Sequence, residues 1–136
     1  MVDENAHGLT ARKTVLEEQG HTVVTTKSPQ QALELFAAES FDLVVTDYKM
    51  RGMSGVELIV ALRALNPSIR VILLSGFVDT LGLTEQSTGA DAVLQKNAHE
   101  VPQLIRVAAR VLGRKAAGRK PAASEGPAVK AKRQSV

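Results

Sequence analysis

The sequence contains no cysteine, which excludes disulfides and thiol chemistry without fixing a compartment. No apolar run approaches the ~20 residues a membrane-spanning helix needs, and the opening residues lack the pattern of a secretory leader. A cytoplasmic protein without membrane insertion is therefore the default expectation. No internal repeat is present. His7, His21 and His99 are too scattered for a metal motif and read as surface residues. Aromatic residues make up 3% of the chain. None falls in residues 113–136, where stacking on nucleic-acid bases would call for them.

What is present is ordinary for a globular domain: 136 residues, 44% hydrophobic and 23% charged, enough to enclose a core. The charge is unevenly divided. Residues 1–112 carry a net −3 and residues 113–136 a net +6, so the high pI belongs to the tail. From Gly113 the text is Ala, Gly, Pro, Lys and Arg without an apolar period, a composition that cannot bury enough to order itself. The expected organisation is one domain over 1–112 and a disordered basic tail over 113–136. The tail's charge allows weak, salt-dependent contact with nucleic acid or acidic lipid; specific nucleic-acid recognition is not expected.

The chain is organised around residues 41–55, FDLVVTDYKMRGMSG. Leu43-Val44-Val45 is short, apolar and β-branched, and reads as a buried strand. It ends at Asp47. A loop with Gly52 follows, and Ser54-Gly55-Val56-Glu57 opens a helix as a capping box. A carboxylate thus falls at the C-terminal end of a strand, where open parallel sheets place their chemistry. Taken alone, Asp47 reads equally well as a turn cap.

On either side, strands and helices alternate. A helix is predicted over 6–19, with Leu9, Val15 and Leu16 inward, Arg12, Lys13, Glu17 and Glu18 outward, and Gly20 as its stop. Residues 22–26 read as a short strand. Ser28-Pro29-Gln30-Gln31 reads as a second capping box, opening a helix that ends near Ser40. The helix from Ser54 carries Leu58, Ile59, Leu62 and Leu65 on one stripe and stops before Pro67. A buried strand over 71–74 leads to Ser75-Gly76. A helix over 79–88 is diluted by Gly82 and several Thr and Ser. A short strand over 92–95 ends at Lys96, and a last helix covers about 101–112. This alternation predicts an α/β fold with a parallel sheet and helices on both faces.

Four polar features fall at strand C-termini: Asp3 with Glu4, Asp47, Ser75 with Gly76, and Lys96. Together they fit phosphoryl transfer. Three carboxylates in one hollow repel and require a cation, and Mg²⁺ suits carboxylates combined with phosphate oxygens. One carboxylate can then act as nucleophile. The three equatorial oxygens of the incoming group can be met by the metal, the Lys96 ammonium, and the Ser75 hydroxyl with the Gly76 N–H.

The acid pair, DLVVTDYKMRGMSG, ILLSG and GADAVLQK together resemble the receiver domain of two-component response regulators, over residues 1 to about 112. The resemblance implies a flavodoxin-like, doubly wound sheet of five strands in the order 2-1-3-4-5. It implies Asp47 as phosphoacceptor, and a Mg²⁺ ion held by Asp3, Glu4, Asp47 and the Lys49 backbone carbonyl. It implies Ser75 as switch hydroxyl and Lys96 as the phosphate-pairing lysine. The phosphoryl donor would be a sensor histidine kinase or histidine phosphotransfer protein. The domain would be a switch rather than a turnover enzyme.

The chain departs from that family in four places. Only Met1 and Val2 precede the acid pair, so the first strand is truncated. The two flanking strands are then expected to lose their shared partner, and the expectation follows that the true start lies upstream or that the chain is a fragment. Arg51 stands where the family usually has Pro. Asn97 follows Lys96 where the family has a cis-proline, which predicts either a trans bond with Lys96 shifted or a strained cis bond. Val93 replaces the usual switch aromatic. With nothing folded expected after Leu112, the signal would be read by a downstream effector protein, or the domain would serve as a phosphate sink. A receiver-like adaptor that is never phosphorylated is the alternative. An aspartate-nucleophile phosphatase ranks last, because it needs a second Asp where Lys49 stands.

Overall fold

The computed structural model describes residues 1–76, 78–97 and 99–118. The apolar runs form three parallel strands, β1 (Leu43–Asp47), β2 (Arg70–Ser75) and β3 (Ala92–Gln95), in the order β1-β2-β3. Val45 pairs with Ile72, and Leu74 with Leu94. The helices are α1 (Ala6–Glu18), α2 (Pro29–Ala38), α3 (Gly55–Leu65), α4 (Val78–Leu81), α5 (Glu85–Thr88) and α6 (Glu100–Gly118).

The sheet is covered on both faces, as fully apolar parallel strands require. Leu43, Val45, Ile72 and Leu74 pack with Leu9 and Leu16 of α1 and Leu104, Val107, Ala108 and Val111 of α6. The alternate residues Val44, Val71 and Leu73 pack with Ala32 and Phe36 of α2 and Leu58, Ile59 and Leu62 of α3. Leu65, expected inward, is 55% exposed because α3 ends there beyond the edge of the core.

Met1 and Val2 do more than two residues imply. Val2 makes parallel bridges to both Thr26 and Thr46. Its N–H donates to the Val45 carbonyl at 2.8 Å, and its carbonyl accepts from the Asp47 N–H at 2.9 Å. On the other side, Thr26 N–H donates to Met1 O at 3.0 Å, and Asp3 N–H to Thr26 O at 3.2 Å. The expected loss of a shared partner therefore does not occur beside the site. The ladder there is only as long as this segment, and 22–26 contributes bridges rather than a named strand. The Met1 amine donates to Val24 O at 2.8 Å, and burial pushes its pKa well below the usual α-amino value.

Other local expectations are refined. Ser54 and Glu57 form the reciprocal capping box. Ser28 caps α2 through Gln31 N–H, but the Gln31 side chain turns instead to Thr26 Oγ1 at 2.6 Å, so the second box is only half made. The segment 79–88 divides into α4 and α5, with Gly82 at φ +66° between them and Thr84 capping the second piece. Helix α6 starts at Glu100 and runs past Leu112 to Gly118, since alanine, lysine and arginine sustain a helix. The rest of the expected tail, 119–136, lies outside the described residues.

Gly55 fixes where β1 delivers Asp47. A Cβ on residue 55 would overlap the Asp47 carbonyl oxygen, lie 2.6 Å from Leu73 Cδ1 and 3.0 Å from Tyr48 Cα. Two of these neighbours are backbone and cannot rotate away. Gly55→Ala is therefore expected to lower stability by about 1–3 kcal/mol, the cost of overpacking a filled site, despite alanine's better helix propensity. A denaturant titration showing equal or higher stability contradicts this packing.

Candidate functional site

The C-terminal ends of the strands bring four of the expected side chains to one edge. Asp47, the last residue of β1, is held by two backbone hydrogen bonds: its own N–H to Val2 O and the Tyr48 N–H to Leu74 O at 2.8 Å. Lys96 follows β3 directly, and its N–H donates to Ser75 O at 2.8 Å. The Lys96 ammonium lies 2.8 Å from Asp47 Oδ1 and 3.0 Å from Asp3 Oδ2. Two carboxylates from different segments thus converge on one cation. The Lys96–Asn97 bond is trans, not the strained cis bond of the second expectation, and Lys96 reaches both acids.

The environment separates the two carboxyls. Burial pushes the Asp47 pKa above its ordinary value, the Asp3 charge adds to that rise, and Lys96 opposes it. Burial also works against ionisation of Asp3, but it is outweighed by the Asn5 N–H at 2.9 Å, Lys96 and Arg12, and the Asp3 carboxyl ends below its ordinary value. One anion is thus firmly held by cations, while the second is less stable as an anion and more exposed to a new partner.

The third acid does not join them. Glu4 Oε2 accepts the Arg51 N–H at 2.7 Å, with the Arg51 guanidinium 3.6 Å away. The expected hollow of three carboxylates is met by Asp3 and Asp47 only, and among the described residues no three acidic or histidine side chains group as a metal cluster. The reason lies in the departure at residue 51. Proline has no backbone N–H; arginine supplies the donor that captures Glu4.

Ser75 ends β2 and is buried, with Gly76 exposed beside it. Gln95 ties this loop to β3: its Nε2 donates to Gly76 O at 2.7 Å, and its Oε1 accepts from the Val78 N–H at 3.2 Å. Lys49 is exposed in the loop after β1. Tyr48 is half-buried at the same loop.

Sequence reasoning missed Arg12. Expected to face solvent, it is 5% exposed. Its Nη1 lies 2.9 Å from Asp3 Oδ2 and its Nε 2.6 Å from Glu100 Oε2. The available signals were its spacing, three residues after Leu9 and four before Leu16 on the buried face of α1, and Gly8 one turn earlier.

A family model for the response regulator receiver domain matches residues 1–108. The chain belongs to the response regulator receiver domain family. Among curated relatives, this receiver domain is 32% identical over 77 residues to the transcriptional regulatory protein ZraR of Escherichia coli K12, covering 57% of this chain and 18% of that protein. It is 30% identical over 102 residues to the sensory/regulatory protein RpfC of Xanthomonas campestris pv. campestris, covering 71% of this chain and 14% of that protein. The chain therefore spans less than a fifth of the length of these relatives. Among solved structures it resembles the receiver domain of Francisella response regulator 1452, at TM-score 0.76 and 27% identity, over 84% of this chain and 94% of that one. It also resembles the response regulator TrrA of Thermotoga maritima in complex with Mg²⁺ and BeF, at TM-score 0.68 and 25% identity, over 78% and 91%. The α/β receiver fold is thus the fold of this chain, and receiver domains are signalling switches of two-component systems. No helix among the described residues is long and apolar enough to cross a membrane.

Proposed function

We propose that this receiver domain accepts a phosphoryl group on Asp47 from a phosphohistidine of a sensor histidine kinase or histidine phosphotransfer protein in the cytoplasm, and signals to a downstream effector protein. The observation that carries this reading is the Lys96 ammonium held between Asp47 and Asp3 at 2.8 and 3.0 Å. An ammonium so placed can exchange a carboxylate for a phosphoryl oxygen without leaving the site.

The residues fit Mg²⁺ through Asp3 and Asp47, two hard oxygen donors already directed at one cationic position; by the family resemblance the Lys49 backbone carbonyl would be a further ligand. When bound, the metal supplies positive charge to the phosphoryl oxygens. The chain's own residues supply the rest. An Asp47 carboxylate oxygen forms the bond to phosphorus as the phosphorus–nitrogen bond breaks, and the donor imidazole departs with its electron pair. Lys96 moves from Asp47 Oδ1 to a phosphoryl oxygen. The Ser75 hydroxyl and the Gly76 N–H meet another, with Gln95 fixing the loop that presents them. Because Asp47 must be ionised to attack, incorporation falls as pH drops through its raised pKa.

Incubation with acetyl phosphate tests the reading. Incorporation of one phosphoryl group per chain, faster with MgCl₂, is expected; no incorporation at any MgCl₂ concentration contradicts it. The second reading, a receiver-like adaptor that is never phosphorylated, is favoured by one observation: the buried Arg12 guanidinium already pairs with Asp3 at 2.9 Å. It predicts no Mg²⁺-dependent change in melting temperature or spectra.

A further inference from the structure

Arg12 is a cation enclosed in the acid pocket. Its guanidinium divides itself between Asp3 Oδ2 at 2.9 Å and Glu100 Oε2 at 2.6 Å. The three side chains are buried or nearly so, at 6%, 3% and 14% exposure. Asp3 also holds Lys96, and Lys96 holds Asp47. Five charges thus alternate in sign from Asp47 to the first residue of α6: Asp47, Lys96, Asp3, Arg12, Glu100. Room for the guanidinium comes from Gly8. A Cβ there would be 3.0 Å from Arg12 Nη1 and 3.3 Å from Nη2, so the guanidinium lies back over its own helix, and a side chain at residue 8 would crowd it by a few tenths of an ångström.

We infer that Arg12 is a positioning residue that sets the affinity of the acid pocket for Mg²⁺, by competing for Asp3 from a place fixed by Glu100. This inference rests on the proposed role of Asp3 and Asp47 as metal ligands. A divalent cation approaching Asp3 meets a like charge already bound to the same carboxylate. In a poorly solvated site that repulsion is large. Glu100 moderates it by drawing part of the guanidinium's charge toward α6. When metal takes a larger share of Asp3, Arg12 turns further to Glu100, and the state of the pocket reaches the start of α6 through one side chain.

The relay makes predictions of opposite sign for its two outer members. Arg12→Met removes the competing charge and is expected to tighten Mg²⁺ binding about tenfold. Glu100→Gln leaves Arg12 with Asp3 as its only anion and is expected to weaken binding several-fold. A purely structural ion pair moves both variants the same way, since each then loses the same contact. The double variant Arg12→Met/Glu100→Gln leaves no unpaired charge at the start of α6 and serves if the single arginine variant fails to fold; it is expected to bind Mg²⁺ more tightly than the parent.

The measurement is calorimetric titration of the full chain with MgCl₂ at fixed pH and ionic strength, paired with the backbone amide signal of Glu100. That signal is expected to shift with MgCl₂ in the parent and not in Arg12→Met. Affinities all within about twofold of the parent, or weakening in both single variants, overturn the inference while leaving the parent's own binding intact. Absence of saturable Mg²⁺ binding by the parent overturns it too, and is distinguishable because it removes the proposed metal site itself.

Discussion

Asp47→Asn is expected to reduce phosphoryl incorporation from acetyl phosphate to background, by at least about three orders of magnitude, the scale on which a lost covalent nucleophile shows. The amide keeps the size of the carboxylate and its place at the end of β1, where Val2 and Leu74 hold the backbone. It lacks the anionic oxygen that must bond to phosphorus. The same variant is not expected to be less stable at neutral pH. Burial and the Asp3 charge raise the folded-state pKa of Asp47 above 3.8, so folding binds a proton there. A raised acid contributes stability that is fully present below 3.8 and is lost as pH rises through the folded value. Asparagine carries no such penalty, although it forgoes the ion pair to Lys96. The stability of Asp47→Asn relative to the parent should therefore increase between pH 3.8 and neutrality, which equilibrium unfolding over that range measures. A variant that retains labelling contradicts the assignment of Asp47, and one that loses relative stability as pH rises contradicts the electrostatics.

The second large effect is expected at Lys96. Lys96→Met leaves Asp3 and Asp47 facing each other without the ammonium they share at 3.0 and 2.8 Å. Removing one partner from a fully buried pair costs about 3–5 kcal/mol. Lys96 is 25% exposed on its side chain, so solvent screening brings the expectation to about 1–3 kcal/mol. Incorporation should fall as well, since a phosphoryl oxygen loses its partner. The stability loss is greatest at neutral pH, where both acids are charged. It shrinks as acid protonates first Asp47, whose pKa is raised, and then Asp3, whose pKa is lowered. Under the proposed metal role, MgCl₂ replaces the missing cation, so it should raise the melting temperature of Lys96→Met more than that of the parent. Equal stability of parent and variant at every pH contradicts the shared ion pair.

The fold was largely legible because its signals are local. Leu43-Val44-Val45 and Val71-Ile72-Leu73-Leu74 are continuous apolar runs, and two-sided burial of parallel strands produces such runs. Ser54 and Glu57 are three residues apart and declare their helix directly. Asp47 and Lys96 could be placed because each terminates a strand. The parts that were not legible depend on meetings between distant residues. Arg12 looks like a solvated charge beside Lys13; it is buried because Asp3 and Glu100 converge on it. Glu4 looks like the twin of Asp3, yet its direction is set by a backbone N–H at residue 51. Two residues before Asp3 look too few for a strand because strand length is judged along the chain. In the structure, Val2 satisfies neighbours on both sides at the one place where the site needs support.

The most direct measurement of the central claim is chemical mapping of the phosphorylated residue. After reaction with acetyl phosphate and MgCl₂, borohydride reduces an acyl phosphate to the alcohol and converts the modified aspartate to homoserine. Peptide mass spectrometry then locates it. Homoserine at residue 47, and at no other aspartate of the chain, is the predicted result. Homoserine at Asp3, or a fully reacted protein with none at residue 47, contradicts the account.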